Sequence, residues 1–338
     1  MDLNTVWFLL VEILIIGYAI LDGFDFGVGV IHLFTKNEDE KRIMMNAIGP
    51  VWDGNEVWLL TGGGALFAAF PVVYATVFSG FYIALILLLA ALIFRAVSFE
   101  FRGKVESASW RKFWDFAFGI GSLLPAILFG VAFGNILRGI PIDIQGNFTG
   151  SFIGLLNPYS ILIGVLSLAM FITHGANYMI IKSEGELRER FVKLSSRFWI
   201  LFIILYVLAT LLTMFEAGFL FNGVAANPIF WLIFLLLLAS VLYQPVALKA
   251  KKYFLAFISS SISIASIIGI SAVSLFPRLV PSSIDLNFSL TIYNASSTPR
   301  TLLTMLIIAL IGMPIVIIYT VLIYRVFKGK TVITKESY

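Results

Sequence analysis

The sequence of 338 residues contains no cysteine and only two histidines, His32 and His174. Without cysteine the chain can form no disulfide, no thiolate-bound iron–sulfur cluster and no c-type haem attachment. Two histidines, one of them near the end of an apolar run, are too few to be axial ligands of several haems. We therefore expect no metal or cofactor in this chain and no electron transfer by this chain alone.

Charged residues are also scarce, at 12% of the chain, whereas 60% are hydrophobic. An average soluble domain has about 25% charged residues. Because a chain this apolar cannot cover itself with polar surface, lipid must be its solvent, and a helix needs about 20 apolar residues to cross the hydrocarbon core. Runs of this length predict an all-α polytopic membrane protein whose nine transmembrane helices lie near residues 6–34, 50–70, 77–98, 113–136, 159–181, 198–214, 228–246, 253–274 and 301–325.

The basic residues are distributed unevenly between the connections. If the connections are numbered alternately from the N-terminus, one side holds 20 of the 23 basic residues, within 36–42, 95–112, 182–197, 249–252 and 325–335. The other side holds only Arg138, Arg278 and Arg300. The positive-inside rule then predicts an N-terminus outside and a C-terminus in the cytoplasm. The basic excess is a topological signal, so nucleic acid is not an expected partner.

A short segment of the first span recurs in the fifth. Residues 21–26 (LDGFDF) align with residues 173–178 (THGANY), and both spans start on the same side. Although a chance match is the alternative, this indicates a same-orientation repeat of four helices. The predicted units are four-helix bundles over 1–136 and 159–274, extracytoplasmic loops over 137–158 and 275–300, and a peripheral ninth helix with a cytoplasmic tail over 301–338.

Besides Glu12, four acids lie within the first two spans. A charged side chain in hydrocarbon costs from about 2.5 kcal/mol upward, which makes such acids functional candidates. Asp22 and Asp25 are three residues apart, and Asp53 and Glu56 repeat this spacing, so each pair shares one helix face. Asp25 should lie about 13 Å from the inner end of its span, and Asp53 about 5 Å below the same surface. The acids are predicted to form a path for proton uptake from the cytoplasm.

Ion pairing is the structural alternative for the acids of the first span. Arg95 and Glu100 close the third span and are candidates for such pairs. Asp22 or Asp25 could then be held by Arg95 without any role in proton transfer.

Other polar residues in the spans also have structural interpretations. Asp53 and Glu56 can complement the positive end of a helix dipole. Glu12 lies near the outer end of the first span, where it can reach the surface or contact a partner. We expect His32 to be an interfacial residue and His174 a hydrogen-bonded core residue.

The most distinctive motifs are residues 21–29 (LDGFDFGVG), 49–59 (GPVWDGNEVWL), 63–71 (GGALFAAFP) and 130–135 (GVAFGN). Together they closely resemble subunit II of cytochrome bd-type quinol oxidases. The resemblance is strong over residues 1–135 and continues as a pattern of spans to the C-terminus.

This resemblance implies a terminal respiratory oxidase of the bacterial cell membrane that oxidises quinol, reduces dioxygen to water and generates a proton motive force. It also implies that haems b and d belong to a partner, subunit I. In that family a small single-helix subunit is common, and lipid and quinone are further expected contacts. Asp25 and Asp53 match the family's proton-path carboxylates, and Glu56 stands where other members have Gln.

Two other functions fit the same features. A proton-coupled secondary transporter would also have repeated bundles and membrane carboxylates, but it predicts broken helices at a midplane substrate site. The second alternative function is a structural scaffold that supports a catalytic partner and takes no part in proton transfer. Co-purification of a haem-rich partner with quinol-dependent oxygen consumption separates the oxidase from the transporter.

Overall fold

The computed structural model describes residues 2–332, so Met1 and residues 333–338 of the predicted tail, with Lys335, lie outside the described residues. Its α-helices are α1 (Leu3–Leu33), α2 (Glu38–Ile48), α3 (Trp52–Ala69), α4 (Pro71–Gly80), α5 (Tyr82–Phe101), α6 (Ala108–Arg138), α7 (Phe152–Leu155), α8 (Pro158–Lys182), α9 (Gly185–Glu216), α10 (Pro228–Lys249), α11 (Tyr253–Leu275) and α12 (Pro299–Val326). The predicted outer loop 275–300 contains a two-stranded antiparallel sheet, β1 (Arg278–Val280) and β2 (Leu290–Thr291).

Within residues 2–332, eight helices are long and apolar enough to cross a membrane, and α3 with α4 makes a ninth if the bent pair is one span. The all-α polytopic fold is therefore confirmed. The predicted third span, 77–98, is divided in the structure between the end of α4 and most of α5. The chain bends by 120° between α3 and α4. The chain turns at Pro71, which is the first residue of α4, where its missing N–H leaves no hydrogen bond unmade. Thr76 of α4 donates a hydrogen bond to the carbonyl oxygen of Gly146 in the loop 137–158, at 2.7 Å.

Helix α2 was not predicted from the sequence. The Asn37 side chain caps it by accepting hydrogen bonds from the backbone N–H groups of Asp39 and Glu40. Acids in a first turn also complement the helix dipole. Met44 and Met45 are buried beneath the helix, so α2 is an amphipathic helix that packs against the end of the bundle.

Contacts between connections define two ends of the bundle. The predicted basic connections meet through the ion pairs Lys41–Asp115, Arg102–Glu38, Arg190–Glu40 and Lys330–Glu184. The other connections meet through the hydrogen bonds Asn4–Ile292, Ser297–Ala69, Ile140–Pro281 and Arg138–Glu216. The connections are thus grouped in the structure as the distribution of basic residues predicts.

Helices α1 and α8 cross at closely packed glycines. A Cβ atom at Gly27 would lie 1.9 Å from the carbonyl oxygen of Phe171, and one at Gly175 would lie 2.6 Å from the backbone nitrogen of Val28. Only glycine allows two backbones to approach this closely. The first helices of the two predicted bundles are therefore in direct contact, while the division into bundles stays a prediction.

Candidate functional site

Four ionisable side chains from three helices meet inside the bundle. They are Asp22 and Asp25 of α1, Glu56 of α3 and Arg95 of α5. The two aspartates and the arginine are fully buried, whereas 23% of the Glu56 side chain is exposed. Because Asp25 lies eight residues before the end of α1, the cluster is about 12 Å from that end along the helix. We call these four residues the carboxylate cluster.

Arg95 is fixed mainly by Asp22. Its Nη2 donates to Asp22 Oδ1 at 2.6 Å, and its Nη1 donates to Asp22 Oδ2 at 3.1 Å. Nη1 also donates to Glu56 Oε1 at 3.1 Å, and the guanidinium lies over the Phe26 ring, 4.5 Å from its centroid. A bidentate pair of this kind is both strong and geometrically specific. Asp22 and Arg95 therefore form a buried ion pair, which the sequence analysis gave as the alternative to a role of Asp22 in proton transfer.

Asp25 is held much less tightly. Its Oδ2 lies 3.7 Å from Arg95 Nη2 and accepts a hydrogen bond from Asn55 Nδ2 at 2.8 Å. Its Oδ1 is buried and has no hydrogen-bond partner among the described residues. Since a carboxyl group can both donate and accept when protonated, this oxygen keeps capacity for a proton or a water molecule. Asp25 therefore differs from Asp22, both of whose oxygens accept hydrogen bonds from Arg95.

Asn55 and Tyr324 support this arrangement, and sequence reasoning did not single out either of them. Asn55 also donates to the carbonyl oxygen of Leu21 at 3.0 Å, and it accepts a hydrogen bond from the Tyr324 hydroxyl at 2.9 Å. Asn55 lies between two candidate acids in a predicted span, so its polarity was an available signal. Tyr324 belongs to the helix predicted to be peripheral, and its local sequence gives no sign that it reaches α3.

The carboxylate cluster contains more acid than base, with three carboxyl groups around one guanidinium. Buried charge is costly unless an opposite charge compensates it. Arg95 alone therefore cannot balance three ionised carboxylates in this cluster. In residues 2–332, no group of three or more histidine, aspartate or glutamate side chains has a metal-binding arrangement. Proton storage and transfer are the chemistry that these residues themselves can provide.

Two further candidates lie outside the cluster. Asp53 is exposed in the first turn of α3, three residues before Glu56, and Glu100 is exposed near the end of α5. Neither has an ion-pair partner in the part of the chain that the structure describes. Glu12 is half-buried and lies ten residues before Asp22, towards the N-terminal end of α1. Exposure thus decreases from Asp53 through Glu56 to the aspartates of α1.

His174 is a hydrogen-bonded core residue, as predicted. Its ring is fully buried, with Nε2 donating to the carbonyl oxygen of Ile20 at 3.0 Å and Nδ1 lying 2.7 Å from Ser260 Oγ. The ring also stacks on Phe257, with centroids 4.6 Å apart. Both ring nitrogens are therefore engaged.

His32 lies in the last turn of α1, and its side chain is fully buried within the protein. Its Nε2 is 3.3 Å from Asp115 Oδ1. Asp115 also accepts hydrogen bonds from Arg102 Nε at 2.6 Å and Lys41 Nζ at 2.7 Å. Residues of α2 and α6 meet at this point and cover the histidine, which the sequence of α1 alone does not reveal.

Asp115→Asn is expected to destabilise the protein by about 1–3 kcal/mol, because two buried or half-buried cations lose the negative charge and one of the two acceptor oxygens between them. Burial lowers the pKa of the Arg102 guanidinium, but hydrogen bonds and charges from Asp115 and Glu38 outweigh it, so the net pKa is raised. Arg102 therefore stays charged and would face Lys41 without the carboxylate. The midpoint of thermal denaturation of the purified protein should fall, whereas Glu100→Gln at an exposed position should leave it unchanged. Equal midpoints for both variants would contradict this role of Asp115.

Comparisons with known proteins cover nearly the whole chain. The family model described as cytochrome bd terminal oxidase subunit II matches residues 3–327. The chain is 40% identical to cytochrome bd-I ubiquinol oxidase subunit 2 of Escherichia coli (strain K12), over 99% of this chain and 96% of the relative. It is 39% identical to cytochrome bd ubiquinol oxidase subunit 2 of Bacillus subtilis (strain 168), over 97% of each. Its fold is similar to a chain in the structure of the bd oxidase from Geobacillus thermodenitrificans, with a TM-score of 0.81 and 17% sequence identity. The match covers 97% of this chain and 99% of that chain.

Proposed function

The chain belongs to the family of cytochrome bd terminal oxidase subunit II, and we propose that it carries protons through the carboxylate cluster towards the oxygen-reducing site of its complex. As a subunit II it is part of a quinol oxidase, a respiratory oxidoreductase of the membrane, and it implies a partner subunit I. The transporter alternative is not favoured, because the matches to oxidase subunits extend over almost the entire chain.

Subunit I is the proposed site of haems b and d and of quinol oxidation. In the present chain the histidines do not fit haem ligation, because His174 uses both ring nitrogens in hydrogen bonds and His32 is buried against Asp115. Membrane quinone, lipid and a small single-helix subunit are further proposed contacts. The chemistry proposed for this chain is therefore limited to its own acids.

The proposed orientation places the basic connections in the cytoplasm of a bacterial cell, with the N-terminus outside. Asp53, at the start of α3, then lies nearest the cytoplasmic end and the carboxylate cluster lies deeper. Protons would pass from Asp53 to Glu56 and then to Asp25, directly or through intervening water. This order follows the decreasing exposure of the three acids.

One observation carries the proposal, namely the contrast between the two aspartates of α1. Asp22 uses both oxygens in a bidentate pair with Arg95, whereas Asp25 has one oxygen without a partner among the described residues. The pair can hold the helices in register while Asp25 accepts and releases protons. A purely structural cluster would not need a second fully buried acid with an unpaired oxygen.

Replacing Asp25 tests the proposal. Asp25→Asn keeps the size and polarity of the side chain but removes its titrating oxygen, so quinol-dependent oxygen consumption should fall by about 100-fold, a typical loss when an acid–base group is removed. Asp25→Glu should recover much of the rate. Glu12→Gln on the same helix, outside the cluster, is the matched control and should leave turnover unchanged.

Assembly must be measured alongside turnover. Haem content and the yield of the complex should be normal in Asp25→Asn, since Asp25 makes no bidentate ion pair. Normal turnover and normal proton uptake in an assembled Asp25→Asn complex would reject the proton path and leave the scaffold function.

A further inference from the structure

A cleft opens where α1, α2 and α9 meet, at the end of the bundle that carries the basic connections. Its volume is about 210 Å³. Its apolar lining includes Ile31 of α1, Met44 of α2, and Phe191 and Leu194 of α9. The carboxylate cluster contributes no residue to this cleft, so it is a separate feature of the molecule.

The rim of the cleft is basic. Arg190, Lys193 and Arg197 follow one another at spacings of three and four residues, which places them on one face of α9. Glu40 is the only acid among the described lining residues, and it pairs with Arg190. The lining therefore carries a net charge of +2, three positive charges less one negative, and Lys193 and Arg197 are exposed without a carboxylate partner in the lining.

The same face of α9 continues as an exposed apolar surface. Ile200, Ile204, Leu208 and Leu211 follow Arg197 at helical spacing and are each between 46% and 54% exposed. From Ile200 to Leu211 this surface extends about 16 Å, or roughly half the hydrocarbon thickness. A basic rim above an apolar surface at the membrane boundary matches the two parts of a phospholipid.

We propose that this cleft binds an anionic phospholipid, with its phosphodiester at Lys193 and Arg197 and its acyl chains along α9. Basic pockets between transmembrane helices recognise anionic head groups in this way. A soluble anion would use the rim but not the apolar surface beyond it. An acidic segment of a protein would likewise leave the surface from Ile200 to Leu211 uncovered.

The test uses the complete oxidase complex, purified in detergent and stripped of phospholipid. Native mass spectrometry would follow the binding of palmitoyl-oleoyl phosphatidylglycerol, of the matching phosphatidylcholine, and of glycerol 3-phosphate. We expect saturable binding of phosphatidylglycerol at one site, with much weaker binding of the other two. The K193Q/R197Q variant should bind phosphatidylglycerol about 30-fold more weakly, which is about 2 kcal/mol at about 1.4 kcal/mol per tenfold change.

The matched control is K104Q/R111Q, which removes the same two charges from exposed positions of another basic connection. Its affinity should equal that of the wild type. Equal losses in both variants, equal binding of phosphatidylcholine, displacement by glycerol 3-phosphate, or a protein segment at the cleft that lipid does not displace would each overturn the proposal. If the double variant assembles poorly, R197Q alone provides the same comparison. The outcome does not depend on the proton path, because lipid binding is measured without turnover.

Discussion

Arg95→Met is expected to destabilise the subunit by about 3–5 kcal/mol and to reduce its accumulation in the membrane severely, as breaking a buried ion pair generally does. The substitution leaves Asp22, Asp25 and Glu56 together without a positive charge, and the two aspartates are fully buried. Since water cannot solvate them there, the carboxylates must be neutralised or the helices must separate. The yield of the assembled complex and its midpoint of thermal denaturation measure the loss.

A double replacement separates charge imbalance from loss of packing. Asp22→Leu combined with Arg95→Met exchanges the bidentate pair for apolar groups of similar size, which is often close to neutral for stability. We therefore expect most of the stability lost in Arg95→Met to return, with a coupling of about 2 kcal/mol or more between the two positions. Purely additive losses would contradict the ion pair. If the double variant also turns over normally, the Asp22–Arg95 pair is structural and the proton path depends on Asp25.

The transmembrane helices are the part of the fold that the sequence predicts best. The hydrocarbon thickness sets a minimum apolar length, so α8 and α11 begin and end within one residue of the predicted spans. Helical segments outside the hydrocarbon have no minimum apolar length, so the sequence gives no comparable signal for them. Helix α2 and the first 13 residues of α9 were missed for this reason, because no long apolar run marks them. The Asn37 side chain caps α2, whereas α9 has no side-chain cap at its start.

The sequence predicts which acids belong to the candidate site, but it does not predict which residues bind them. The cost of burying charge identifies Asp22 and Asp25 from the sequence alone. It does not decide which of them Arg95 binds, because both lie on one face of α1 and the choice depends on the rotation of α5. The contact from Tyr324 to Asn55 joins residues 269 positions apart, and only the packed helices bring them together.

Gly27→Ala is the second substitution for which we expect a large effect. The added Cβ atom would lie 1.9 Å from the carbonyl oxygen of Phe171, and a backbone atom cannot rotate out of the way as a side chain can. Helices α1 and α8 would have to separate, with an expected loss of about 3 kcal/mol, at the upper end of the usual cost of overpacking. The measured quantities are the yield of the complex and its midpoint of thermal denaturation.

Gly312→Ala is the matched control, because this glycine also lies inside a long helix but a Cβ there meets nothing within 4 Å among the described residues. Alanine favours a helix interior over glycine, so this variant should be as stable as the wild type or slightly more so. A Gly27→Ala protein with normal yield and an unchanged midpoint would show that α1 and α8 cross at a greater distance. Since α1 carries both buried aspartates, the same shift would also move Asp25 away from Asn55 and Arg95. Turnover should therefore be lost in any Gly27→Ala complex that does assemble, even though Gly27 has no side chain to take part in proton transfer.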